Sequence, residues 1–147
     1  MSNDIRPTTL FWIVGGIFLL WNAFGCYMYY LNHTMSDAAY VEAWGPASAA
    51  VRDLFPAWGT AAFAIGVFGG LLGAVLFLMR KRIALPVFVI SLIAGLISFV
   101  PEFTVDEISA AIKADGLNPY MMPIMVLGMG VIEIWVTRKK IAKGILA

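Results

Sequence analysis

Four long apolar stretches follow one another along the chain, at about residues 9–31, 57–79, 83–100 and 120–136. Each falls within the roughly 17–25 residues that a helix needs to cross the hydrocarbon core of a bilayer. The pattern predicts an all-α fold: a polytopic four-transmembrane-helix bundle whose backbone polar groups are satisfied inside each helix. Aromatic residues collect near the ends of the stretches. Phe11 and Trp12 open the first, and Tyr27, Tyr29 and Tyr30 close it; Trp58 opens the second, Tyr120 the fourth, and Trp135 closes the fourth. Amphipathic rings settle in this way at membrane interfaces.

The polar segments between the stretches are of two kinds. Arg80, Lys81 and Arg82 are the whole separator between the second and third, which predicts a tight helical hairpin; Pro86 then falls in the first turn of the third helix, where proline is tolerated. The other two connections are longer and acidic. In the first, Thr34-Met-Ser-Asp37 resembles a helix start, and Tyr40, Val41 and Trp44 form an apolar face that Gly45-Pro46 interrupts. In the second, Thr104-Val-Asp-Glu107 reads as a capping box, with Ile108, Ala111 and Ile112 on one face and Asp115-Gly116 as the stop. Short amphipathic helices are therefore expected in both outer loops, lying on the membrane surface or capping the bundle.

Charge turns this pattern into an orientation. Arg6, Arg80, Lys81, Arg82, Arg138, Lys139, Lys140 and Lys143 fall on one side of the predicted topology, and only Arg52 and Lys113 on the other. Cations near membrane helices concentrate on the cytoplasmic side. Both termini are therefore expected in the cytoplasm, with Arg80, Lys81, Arg82, Arg138, Lys139 and Lys140 as topology anchors. Composition agrees: 61% of residues are hydrophobic and 13% charged, whereas charge takes about 25% of an ordinary soluble domain. One compact membrane domain, residues 1–147, uses the whole length. The first stretch is too long for the apolar region of a signal peptide and carries bulky residues where cleavage would need small ones, so it is expected to stay as a helix. Proline-plus-aromatic starts before the second and fourth stretches, each followed by a basic stop, are a faint internal echo; membrane insertion also produces such an echo without gene duplication.

Few residues offer chemistry. Glu133 is the ionisable side chain inside the body of a span, and an acid at that depth marks a site because its burial costs about 2.5 kcal/mol or more at the centre. Its distance from Arg138 also allows it to reach the interface or to pair with Arg80 or Arg82. Asn22, near the middle of the first span, needs hydrogen-bond partners and is the second candidate polar site; an interhelical bond is the simpler reading. Thr60, Ser91 and Ser98 are the other polar side chains clearly within spans. Gly66, Gly69, Gly70 and Gly73 form overlapping small-xxx-small spacings, which let a helix approach closely. Met121, Met122, Met125 and Met129 read as adaptable packing. His33 beside Asp37 supplies too few ligands for a metal, and Cys26 is the single cysteine, so a disulfide within the chain and a cysteine-based metal site are both excluded. No phosphate-binding loop, nucleophile elbow, HExxH or CxxC is present. An enzyme, a cofactor and a nucleic-acid partner are not expected.

Several segments together carry a resemblance: Phe11-Trp12-Ile13-Val14-Gly15-Gly16 with Leu20-Trp21-Asn22; Pro56-Ala57-Trp58 leading into Ala61-Ala62-Phe63-Ala64-Ile65-Gly66-Val67-Phe68-Gly69-Gly70; Arg80-Lys81-Arg82 with Ala84-Leu85-Pro86; and Met122-Pro123-Ile124-Met125-Val126. The chain resembles a family of small, uncharacterised four-span bacterial inner-membrane proteins that often carry a "sugar transporter" label. The resemblance implies the bundle and a bacterial inner (plasma) membrane location; it supplies no catalytic or binding residues. From the residues, the expected role is a non-enzymatic accessory or interaction subunit, as a homo-oligomer or within a larger membrane complex. The alternative is a small oligomeric transporter of a small solute, with Glu133 and Asn22 lining an interior shared between copies.

Overall fold

The computed structural model describes residues 5–114 and 116–147. Seven helices follow in order: α1 (Thr9–Thr34), α2 (Asp37–Leu54), α3 (Ala57–Leu78), α4 (Ala84–Ser98), α5 (Val100–Thr104), α6 (Asp106–Ala114) and α7 (Met121–Ala142). Four segments, Thr9–Thr34, Ala57–Leu78, Ala84–Thr104 and Met121–Ala142, are long and apolar enough to span a bilayer. The protein is a multi-pass, all-helical membrane bundle. α3 packs most extensively on α4, α1 lies against α3, and α7 against α4; no comparable packing joins α1 to α7. The two flanking helices therefore stand on either side of a central hairpin.

Lipid tails are as apolar as leucine, so these helices associate through close packing and hydrogen bonds rather than through escape from water. Glycine supplies the close packing. A Cβ on Gly66 would lie 3.0 Å from Gly95 Cα, one on Gly69 would meet Ser91 Cβ at 3.3 Å, and one on Gly73 would meet the Phe88 ring at 2.7 Å. Three of the predicted packing glycines thus face α4, while Gly70 faces Asn22 on α1. Ser91 Oγ donates to Gly66 O at 2.6 Å across the same α3–α4 contact. Backbone opposes backbone at Gly66, so nothing flexible can move aside. Gly66→Val is expected to destabilise the bundle by about 1–3 kcal/mol. Gly128→Val, where an added Cβ meets nothing within 4 Å, is expected to be neutral; SDS titration in mixed micelles compares the two, and equal stabilities would mean that Gly66 does not set the α3–α4 contact.

The two ends of the bundle differ. At the end holding the α3–α4 turn, Phe11, Phe18, Ala74, Phe77, Ala84 and Phe88 form a closed core with Ile145 and Leu146. Arg80 adopts a left-handed conformation (φ 60°) in the turn. It holds the C-terminal segment: its Nε donates to Ile145 O at 2.9 Å, and Ala147 N donates to Arg80 O at 2.8 Å. At the other end α2 packs on α6.

Several boundaries differ from the expectations. α7 continues to Ala142 instead of ending near residue 136, because a helix need not stop where lipid does and Lys139 and Lys140 in its last turn suit the helix dipole. α2 starts with Ser36 as N-cap, its hydroxyl accepting from Ala39 N. Gly45 (φ 84°) does interrupt it, but the chain resumes a helical course from Pro46 to Leu54. The capping box at Thr104 is not made: an extra helix, α5, extends the third span, and the Thr104 hydroxyl donates to Val100 O at 2.9 Å within it. The stop after α6 falls on Gly116 (φ 68°), whose partner in the expected signal, Asp115, lies outside the described residues. His33 sits on the last turn of α1 rather than in a loop, stacked on Tyr29.

Candidate functional site

Asn22 and Glu133, 111 residues apart in sequence, meet inside the bundle. Asn22 Nδ2 donates to Glu133 Oε1 at 2.6 Å and to Phe18 O at 2.8 Å. Asn22 is 7% exposed and Glu133 4%. This replaces the expected pairing of Glu133 with Arg80 or Arg82; among the described residues the ion pairs are those of Arg52 with Asp37 and Asp53. The reason lies in the length of α7. With the helix running from Met121 to Ala142, Glu133 is near its middle, as Asn22 is near the middle of α1.

Gly70 makes room for the bridge. A Cβ there would fall on Asn22 Oδ1, so the missing side chain on α3 lets the Asn22 amide lie flat against the helix and reach α7. Thr137 Oγ1 donates to Glu133 O at 2.6 Å one turn further along, which satisfies that buried hydroxyl within α7. Glu133 Oε1 has its donor. Its second oxygen, Oε2, takes no hydrogen bond from the described residues, and Glu133 lines the space beside it.

That space is a cavity of about 440 Å³ between α1, α3, α4 and α7. Trp21, Phe24 and Met28 of α1, Phe63 and Val67 of α3, Leu92 of α4 and Met122, Met125 and Val126 of α7 make its apolar walls. Asn22, Ser91 and Glu133 lie at its deep end, next to the phenylalanine core. A second cavity of about 430 Å³ lies beyond it toward α2 and α6, lined by polar groups that include His33, Arg52, Glu102 and Asn118. Asn32, Phe63, Ser98, Phe99 and Met122 line both, so the two spaces adjoin. They lie in succession from the loop end of the bundle toward its centre.

At the mouth, Tyr40 Oη donates to Asn32 Oδ1 at 2.6 Å, and the Arg52 guanidinium lies 4.5 Å over the Tyr40 ring. Burial pushes the Tyr40 phenol above its ordinary range, opposed by the nearby Arg52 charge. Arg52 is committed to Asp37 and Asp53, and these bonds, the Asp37 one foremost, raise its already high pKa. Among the described residues no group of three or more histidine, cysteine or acidic side chains is placed to hold a metal ion. Cys26 Sγ donates to Val67 O at 3.3 Å and is tied to helix packing.

Of the residues singled out from sequence, the structure joins Asn22, Glu133 and Gly70 in one place and leaves Gly66, Gly69 and Gly73 to the α3–α4 contact. Met122 and Met125, read as packing, are cavity wall, whereas Met129 packs against the core. Trp21, Phe24, Phe63 and Phe99 carry no signal as site residues, because an aromatic facing an internal cavity and one facing lipid read alike. Comparison with protein-family models, curated proteins and solved structures finds no match to the chain.

Proposed function

We propose that the protein is a non-enzymatic membrane protein that takes a small, mostly apolar solute into the cavity between α1, α3, α4 and α7, as the binding step of transport. The observation that carries this reading is the cavity itself, whose volume of about 440 Å³ lies in the range of roughly 300–1,000 Å³ usual for small-molecule sites. It favours the transporter reading over an accessory role. A single bundle already supplies this cavity, so the reading does not depend on several copies building an interior. A sugar is a poor fit: its hydroxyls need a donor or acceptor on most sides, whereas most of the wall is carbon and sulfur, with Asn22, Ser91 and Glu133 at the deep end and Asn32 and Ser98 at the junction with the outer cavity. The distribution of cations supports a topology with both termini in the cytoplasm, so the outer cavity would lie toward the opposite side, and the resemblance supports a bacterial inner membrane.

The test is binding of N-phenyl-1-naphthylamine, a neutral apolar fluorophore, to the protein in lipid nanodiscs, with empty nanodiscs as background. Saturable binding is expected for the native chain. It should vanish in Val126→Trp, which fills the cavity from α7. Fluorescence that never saturates, or that Val126→Trp leaves unchanged, would remove the proposal.

A further inference from the structure

The site has a charge pattern that selects a ligand class. Glu133 is the one acidic side chain lining the deep cavity, and no lysine, arginine or histidine lines it with Glu133. The elements packed around the cavity supply no counter-charge either. α3 and α4, over 57–78 and 84–98, contain no ionisable side chain. α1 contributes Cys26, bonded to Val67 O, and His33 at the mouth; α5 contributes Glu102 and α2 Arg52, both in the outer cavity. The basic cluster of Arg138, Lys139, Lys140 and Lys143 lies toward the opposite, closed end of α7. Arg52 is held by Asp37 and Asp53. Among the described residues no basic side chain therefore pairs with the Glu133 carboxyl group, which lines the cavity with its Oε1 held in place by Asn22.

We infer that the occupant is a lipophilic organic monocation, held by Glu133 Oε2 at the deep end and by the aromatic walls above it. This deepens the binding function proposed above and rests on it. Two features favour this class. Trp21, Phe24, Phe63 and Phe99 line the cavity, and aromatic rings attract ammonium-type groups more strongly when water is excluded. An inorganic cation is disfavoured: calcium takes 6–8 oxygen ligands and magnesium a near-ideal octahedron, while the side-chain oxygens at the deep end are those of Asn22, Ser91 and Glu133 alone. A delocalised or alkylated cation asks for little hydrogen bonding and for much apolar contact, which is what this cavity supplies. A proton competes with the cation for the same oxygen.

The experiment measures tetraphenylphosphonium and N-phenyl-1-naphthylamine binding side by side in nanodiscs. The native chain is expected to bind both. Glu133→Gln keeps the shape and an oxygen to accept from Asn22, so the neutral probe should bind it normally while tetraphenylphosphonium weakens by about 30-fold or more. In the native chain, acidification should weaken the cation and leave the neutral probe unchanged, a readout that does not depend on the variant folding. Retained binding of the neutral probe with no binding of tetraphenylphosphonium, or with cation binding indifferent to both pH and Glu133→Gln, overturns this inference and leaves the cavity as an apolar-solute site. Binding of neither probe by the native chain overturns both.

Discussion

Replacing Phe77 by alanine is expected to cost the bundle about 3 kcal/mol, near the lower end of the range for deleting a buried aromatic ring. Phe77 is fully buried. Its ring stacks on Phe11 with centroids 4.8 Å apart and meets Phe18 edge-on at 5.4 Å, so it joins α3 to two turns of α1. In water the loss would combine a transfer term with a cavity term. In a bilayer the transfer term is small, because the unfolded reference leaves the ring among lipid chains; the cavity and the lost ring contacts remain. Ile124 serves as the control. It is 64% exposed, and lipid fills the space when it is shortened, so Ile124→Ala should leave SDS-induced unfolding unchanged. If the two variants unfolded alike, the closed end would not be what holds α1 on the hairpin.

The existence of the four spans is legible because each is a run of apolar residues longer than a soluble core helix commonly needs, and the α3–α4 hairpin because three basic residues leave no room for anything else. Helix ends are less legible. Hydropathy marks where lipid stops, so it puts the end of α7 near residue 136, and from that end Glu133 looks close enough to the interface to meet Arg80 or Arg82. The helix in fact continues to Ala142, and Glu133 belongs with Asn22. Thr104 misleads for a related reason: its spacing to Glu107 fits a capping box, but the turn before it is already helical and takes the hydroxyl. Asn22 and Glu133 each stand out as a polar residue in an apolar run. Their meeting does not, since nothing local to either sequence records a partner 111 residues away. The cavity is the least legible of all: an apolar wall facing an empty space has the same composition as one facing lipid.

Gly70→Ala is the substitution that tests whether fold and site are one arrangement. The added Cβ would fall on Asn22 Oδ1, so the amide has to rotate, and rotation breaks its bonds to both Phe18 O and Glu133 Oε1. Overpacking costs about 1–3 kcal/mol, and a buried carboxylate losing its donor costs about as much again; roughly 3 kcal/mol is expected for the single change. Asn22→Ala alone removes the same bridge without crowding, so its cost should be the smaller, about 1–3 kcal/mol for the carboxylate that loses its donor. The decisive variant is the double one. With Asn22 already shortened, the methyl added at position 70 loses its hardest clash and keeps a 3.1 Å contact with Ser91 Oγ, and the bridge it would have broken is gone. The pair should therefore be non-additive by nearly the whole cost of Gly70→Ala, about 3 kcal/mol, the double variant resembling Asn22→Ala. Tetraphenylphosphonium binding is expected to follow the same order, because Glu133 is aimed into the cavity by the amide that Gly70 seats. Strict additivity in SDS titration would mean that Asn22 does not lie on Gly70, and the position of the Glu133 carboxylate would then need another cause.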